Sequence, residues 1–210
     1  LNALKKLIQK GLNPNFLYRT NSNTITFRND TTKILDYCCY RSSRTGTITI
    51  PNTVTEIGSY AFYYCPSITS VTFQETSTLT TIKEYAFYYC LSLTGTLDIP
   101  ASVTEITRSA QGADSFQFGN FNSITSSSTN YPVSDNVLYD VKTGGSVYAV
   151  LGSNNYVGTL TLRNDTTHIV RYSFYSCKRT GDLVIPDTVI FMGGMCFGNS
   201  QGFTGSLKSF

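Results

Sequence analysis

The sequence predicts a solenoid, a stack of short parallel strands coiled around a shared interior. Three observations predict it. The hexapeptide Tyr-Ala-Phe-Tyr-Tyr-Cys starts at Tyr60 and again at Tyr85, in the same register. The chain aligns on itself in units starting at Thr24, Thr47, Ser70, Thr96, Thr159 and Asp182, with a stub at Ser206, and most units are 23 residues apart. Each unit repeats the same apolar columns, which a single layer cannot cover and which stacked layers bury as continuous ladders.

The elements follow in order. At the start, "LNALKKLIQKGLNPN" sets Leu1, Leu4, Leu7 and Ile8 at helical spacing with Lys5, Lys6 and Lys10 opposite, and Gly11 and Pro14 end the pattern. This predicts an amphipathic helix over residues 1–15 that caps the fold; a basic membrane-surface helix is the alternative. Residues 16–210 form the repeat region. Within each unit Ile25 and Phe27, Ile48 and Ile50, Val71 and Phe73, Leu97 and Ile99, Leu160 and Leu162, or Leu183 and Ile185 alternate with small polar residues. Period two marks a short strand with one buried face. Pro51, Pro100 and Pro186 then end the pairing, because proline donates no amide hydrogen. Further inward columns are Ile34, Ile57, Ile82, Ile106, Ile169 and Met192, and then Phe62, Phe87, Phe174 and Phe197 with Cys39 in the first layer. The units at Thr24 and Thr159 share "RNDTT" and "RTG", so the same local structure is expected twice. After Ala110 the fourth unit loses its Phe and Cys, which predicts an irregular segment over about 112–158 with Phe116 or Phe118 in the missing ring's place.

Composition narrows the function classes. Apolar residues make up 40% of the 210 positions, enough for a real core, and only 14% are charged. The net charge of +3 is spread along the chain without a basic stripe, which argues against nucleic acid as a partner. No apolar run reaches the roughly 18 residues of a membrane span, so no membrane insertion is expected in this segment.

These columns resemble the BspA-type leucine-rich repeat, a 23-residue class of surface proteins of bacteria and some parasitic protists. "IPNTVTEIGSYAFYYCPSIT" and "IPASVTEI" carry the likeness: Ile-Pro, then Val-Thr-x-Ile, then Ala-Phe-x-x-Cys. The resemblance implies an α/β leucine-rich-repeat solenoid of about seven layers, a curved right-handed superhelix with few helical turns. "YPVSDNVLYDVKTGGSVYAVL" is similar to the β-hairpin insertion of that family, placed at 131–151 with Thr143-Gly144-Gly145 as its turn. It also implies binding rather than catalysis, an extracellular or cell-surface location, and a protein or glycan ligand on another cell or in the extracellular matrix. A non-binding spacer that projects other domains is the second reading. No family-wide ligand residues carry over. The open last layer adds an expectation of end-to-end association.

The reactive side chains are read against this frame. Cys65, Cys90 and Cys177 share one column, and their spacing matches no zinc site. Buried free thiols are expected, with a Cys65–Cys90 disulfide as the alternative that column spacing allows. His168 is the only histidine, and its column holds Lys33, Glu56, Thr81, Glu105 and Phe191, which share no chemistry; it reads as a surface slot. No nucleophile elbow, phosphate loop or calcium loop occurs, so no catalytic residue, metal or cofactor is predicted. Two surfaces remain as ligand candidates. One is the outward strand face, with Thr26, Thr49, Thr72, Asp98 and Thr161; the other is the tyrosine strip, with Tyr63, Tyr88 and Tyr175. Asn29 and Asn164 each head an Asn-Asp-Thr sequon in matching positions.

Overall fold

The computed structural model describes residues 23–109, 115–117, 119–141 and 145–203. The expected helix over 1–15, Phe118, Thr143-Gly144 and the stub from Ser206 lie outside the described residues. Thirteen short strands are found among them: β1 (Lys33–Ile34), β2 (Gly46–Ile50), β3 (Glu56–Ile57), β4 (Ile68–Phe73), β5 (Thr81–Ile82), β6 (Thr96–Ile99) and β7 (Glu105–Ile106) in the first half, then β8 (Ser123–Ser126), β9 (Val133–Ser134), β10 (Val137–Asp140), β11 (Tyr148–Gly152), β12 (His168–Ile169) and β13 (Phe191–Met192).

Layers stack by parallel pairing. One wall is the ladder β1-β3-β5-β7, taken up again from the insertion's last strand by β11-β12-β13. Its register matches Ile34 with Ile57, Ile57 with Ile82 and Ile82 with Ile106, so identical columns lie on top of one another. A second wall holds the longer strands, β2 beside β4 and β6 beside β8, with isolated bridges at Thr161–Val184 and Gly181–Phe203.

The third wall is built of turns. No helix occurs among the described residues, so the helical share of the α/β expectation is replaced by turns there. The backbone gives the reason. Tyr60 and Tyr64 have φ of 57° and 54°, and the pair recurs at Tyr37 and Arg41, Tyr85 and Tyr89, Tyr172 and Ser176, and Met195 and Asn199. A left-handed residue at each end of the turn rotates alternate amides out of the layer. Tyr60, Phe62 and Tyr64 donate to the carbonyls of Glu84, Ala86 and Tyr88 in the next layer at 3.2, 2.7 and 2.8 Å, where a helix would bond within itself.

Inside, the aromatic column is continuous. Phe62 and Phe87 are wholly buried, with ring centroids 4.9 Å apart and planes within 13°. Phe116 follows at 5.1 Å and takes the place that the fourth unit lacked. Phe174 and Phe197 stack again at 5.1 Å.

The units at Thr24 and Thr159 repeat each other down to single contacts. Arg28 grips Asp30 with two hydrogen bonds of 2.9 Å, and Arg163 grips Asp165 in the same way. Arg44 donates to the Thr24 carbonyl at 3.2 Å and Arg179 to the Thr159 carbonyl at 2.8 Å. Gly46 and Gly181, closing the two "RTG" turns, have φ of 87° and 84°, a conformation open to glycine at little cost.

Part of the stretch read as irregular is solenoid. β8 pairs in parallel with β6, Leu97 opposite Ile124. The insertion proper is a meander: β9 and β10 are antiparallel around Asp135-Asn136, both at positive φ, and β10 and β11 form the expected hairpin. All four residues of β10 are buried because the meander stands between two cores. Leu138 and Leu151 belong to the first, Val137, Tyr139 and Ala149 to the second. Its tip mends the longer-strand wall. The Ile124 amide donates to Asn136 Oδ1 at 3.2 Å and the Thr161 amide to Asp135 Oδ2 at 2.7 Å, so two side chains stand in for a missing strand. Arg179, fully buried, holds Asp135 at 3.0 Å and lies 4.4 Å from the Tyr156 ring centroid.

Two stability outcomes follow from these contacts. Phe87→Ala should cost about 3–5 kcal/mol in urea unfolding, since both ring faces lose a partner. Asp135→Ala should cost about 3 kcal/mol by leaving the Arg179 charge buried without its carboxylate, and Asp135→Ala with Arg179→Met should recover most of it.

Candidate functional site

The turn wall carries a terrace of tyrosines. Four of these turns, those beginning at Tyr37, Tyr60, Tyr85 and Tyr172, bring out one phenol at the first left-handed residue and another three positions later. Their rings stack from layer to layer: Tyr37 on Tyr60 at 5.0 Å, Tyr60 on Tyr85 at 4.8 Å, Tyr40 on Tyr63 at 5.1 Å, Tyr63 on Tyr88 at 5.6 Å and Tyr64 on Tyr89 at 5.8 Å. Adjacent columns touch edge to face, as at Tyr85–Tyr88, 5.0 Å and 82°. Beyond the insertion Tyr172 lies close enough to Tyr88 to bear on its ionisation, and Tyr175 meets Tyr172 at 5.7 Å. The Gln117 amide helps to close this junction by donating to the Arg171 carbonyl.

Ring faces in these stacks are used up by each other. What faces outward is a row of ring edges and hydroxyls, most open at the first layer, where Tyr37 is 57% exposed. Two cations flank the row on tyrosine faces: Arg41 lies 5.3 Å from the Tyr64 centroid, and Arg171 lies 4.6 Å from Tyr172, whose hydroxyl accepts from it at 2.9 Å. Near the Tyr60 column, Glu56 bridges Lys83 at 3.0 Å and Lys33 at 3.6 Å.

The two sets of candidate residues fare differently. Tyr63, Tyr88 and Tyr175 fall on the terrace, the first two in direct contact. The strand-face residues are exposed, and Thr49, Thr72 and Asp98 are already engaged with neighbouring side chains. Thr72 donates to Thr49 at 3.3 Å, Thr125 to Asp98 at 2.8 Å, and Thr47 pairs with Ser70 at 2.6 Å. The wall is also divided between β4 and β6, and Thr26 and Thr161 lie outside its named strands. Ser123 and Thr125 extend the hydroxyl rows and were missed from the sequence. Their signal was there: Ser123, Ile124 and Thr125 repeat the polar, apolar, polar order of Thr96, Leu97 and Asp98, with which they pair.

The other reactive groups serve the core. All six cysteines are free thiols. The Cys65 thiol donates to the Cys39 carbonyl at 3.2 Å and Cys90 to the Phe62 carbonyl at 3.1 Å, and the contact with Cys65 together with burial pushes the Cys90 thiol up. His168 is held between Tyr148 at 4.4 Å and Phe191 at 5.9 Å, with Nδ1 2.8 Å from the Thr167 hydroxyl. Asn29 and Asn164 are exposed in their two equivalent turns.

Burial raises the phenols of Tyr60, Tyr63 and Tyr88 above their ordinary value, with neighbouring ring hydroxyls adding to the effect. A raised folded value means that the unfolded chain loses its protons first. Stability is therefore complete below about pH 10, the ordinary phenol value, and falls as the pH climbs from there towards the folded value. Denaturation across pH 9–12 should show this decline, and Tyr88→Phe should lessen it.

Comparison with known proteins agrees with this architecture. The chain is similar in structure to the pneumococcal vaccine antigen PcpA, with a TM-score of 0.71 and 16% identity over 87% of this chain and 50% of that one. It is also similar to a leucine-rich repeat protein from Eubacterium ventriosum, with a TM-score of 0.54 and 20% identity over 84% of this chain and 51% of the other. The chain thus spans about half the length of these solved structures. No curated protein matches it in sequence. No helix among the described residues is long and apolar enough to cross a membrane. The profile of the BspA type leucine rich repeat region matches residues 10–143 and 150–206 in six copies, and the chain belongs to that family.

Proposed function

We propose that this chain is the recognition module of a secreted or surface-displayed protein and adheres to a protein or glycan through its tyrosine terrace. The observation that carries this reading is the stacked phenol rows themselves, rigid and outward over several layers. Tyrosine gives large contact area and a hydrogen-bonding tip at little conformational cost, and stacking fixes it in advance. The strand face is the secondary surface, because its hydroxyls already satisfy one another. The family and the likeness to a pneumococcal vaccine antigen support an extracellular setting.

Glycan arrays and immobilised matrix proteins should test it with two triple variants. Tyr63→Phe, Tyr88→Phe and Tyr175→Phe together keep the stacks and remove three hydroxyls; binding should fall at least tenfold with an unchanged melting temperature. Thr49→Ala, Thr72→Ala and Asp98→Ala together should weaken it less. Equal binding by the tyrosine variant would contradict the terrace, and no ligand in any panel would favour the spacer.

A further inference from the structure

The tyrosine terrace has a charged edge with a repeat of its own. Asp36, Ser59 and Glu84 immediately precede Tyr37, Tyr60 and Tyr85, whose rings stack at 5.0 and 4.8 Å. The two acids therefore belong to one column and stand two layers apart, ~9.6 Å at ~4.8 Å per layer. Beside them run the two tyrosine columns. Their rings lie 5.6 Å apart at Tyr37–Tyr40, 5.5 Å at Tyr60–Tyr63 and 5.0 Å at Tyr85–Tyr88, inclined by 59°, 52° and 82°.

What these groups can still bind follows from the partners they have. The hydroxyls of Tyr37, Tyr40, Tyr60 and Tyr63 make no hydrogen bond among the described residues. Ring faces are spent within the stacks, which leaves little face for a sugar ring to lie on; phenol donors and ring edges remain. Asp36 is exposed and Glu84 half-buried, and neither carboxylate is in an ion pair among the described residues. Asp36 accepts the Ser59 amide at 2.8 Å, and Glu84 lies close enough to Tyr60 to bear on its phenol. Lys83 is near both acids, but its ammonium is held by Glu56 at 3.0 Å.

A polyproline II segment matches this pattern in length, hydrogen bonding and charge. It rises ~3.1 Å per residue with three residues per turn, so one edge recurs every ~9.3 Å, close to the two-layer distance. Its carbonyls have no partners within the segment, and proline has no amide hydrogen, so a proline-rich chain offers acceptors to the phenol donors. Aromatic-lined surfaces take up such segments because their conformation is formed before binding and little entropy is lost. A cation at every third position would lie along one edge and meet Asp36 and Glu84 in turn. Resting on the terrace as the binding face, we propose that its ligand is a proline-rich polyproline II segment of a protein, with Lys or Arg at every third position. The segment's carbonyls accept from the phenols, and its cations pair with the two acids.

Calorimetric titration of the 210-residue chain with a peptide of five Lys-Pro-Pro repeats tests this, beside matched Lys-Gly-Gly and Glu-Pro-Pro peptides. The Lys-Pro-Pro peptide should bind saturably and at least tenfold more tightly than Lys-Gly-Gly, which carries the same charges on a flexible chain. The Glu-Pro-Pro peptide should not bind. Tyr60→Phe with Tyr63→Phe, and separately Glu84→Lys, should each weaken Lys-Pro-Pro binding at least tenfold at an unchanged melting temperature. Equal binding of Lys-Gly-Gly would mean that charge alone acts, and would overturn the inference. So would Lys-Pro-Pro binding that ignores Glu84→Lys or the tyrosine pair, or no Lys-Pro-Pro binding at all. In that last case, a matrix protein or glycan that still binds and is lost with the Tyr63, Tyr88 and Tyr175 hydroxyls would keep the terrace as the binding face with a different ligand. No hydroxyl-dependent ligand of any kind would remove both readings.

Discussion

One spacing governs this molecule. Parallel backbones joined by hydrogen bonds lie about 4.8 Å apart, and offset-stacked aromatic rings, whose centroids sit about 4.5–7 Å apart, accommodate the same distance. The phenylalanine column at 4.9 and 5.1 Å and the tyrosine columns at 4.8 to 5.8 Å meet that constraint on both sides of the turn wall. A ring can therefore be repeated once per layer without disturbing the ladder, and the ladder holds each ring in contact with the next. Interior and exterior are two faces of a single periodic wall.

The same constraint accounts for an otherwise costly backbone. Tyrosine at positive φ is unfavourable, by about 1–2 kcal/mol per residue, and the chain accepts it at Tyr37, Tyr60, Tyr64, Tyr85, Tyr89 and Tyr172. Turning alternate amides towards the next layer gives each of them a carbonyl, and the ring displaced outward gains a stacked neighbour. The strain is offset chiefly between layers, beside the bonds that close each turn. A terrace formed this way is held in place by its own stacks, which links the economy of the fold to the contact surface proposed for it.

The legible part of the fold was whatever recurs. Columns such as Ile34–Ile57–Ile82–Ile106 and the ring position of Phe62 and Phe87 could be read directly, and so could the repeated "RNDTT" and "RTG" turns. Phe116 was one of two residues, with Phe118, anticipated because the column had a vacancy. β8 was missed because residues 107–122 break the unit spacing, although Ser123, Ile124 and Thr125 keep the polar, apolar, polar order of a strand. The tip at Asp135-Asn136 was illegible for a different reason. Those side chains replace a strand, so they match no column, and Arg179 reveals its buried role only once Asp135 is placed beside it. The candidate surfaces were visible as rows, but mutual pairing of the strand-face hydroxyls depends on distances that spacing alone does not give.

The meander adds a partition. By burying both faces of β10 it divides the interior into two cores while the turn wall passes around it through Gln117 and Arg171. The halves are coupled by the meander tip, which bonds Ile124 and Thr161, and on the turn wall by the Gln117 side chain. Native-state hydrogen exchange followed residue by residue examines that wall most directly. Surface turns ordinarily exchange quickly, yet the amides of Cys39, Arg41, Phe62 and Tyr64 should be protected like strand interiors. Fast exchange at those four positions would show that the layers are not joined there, and the account of the fold would fail with them.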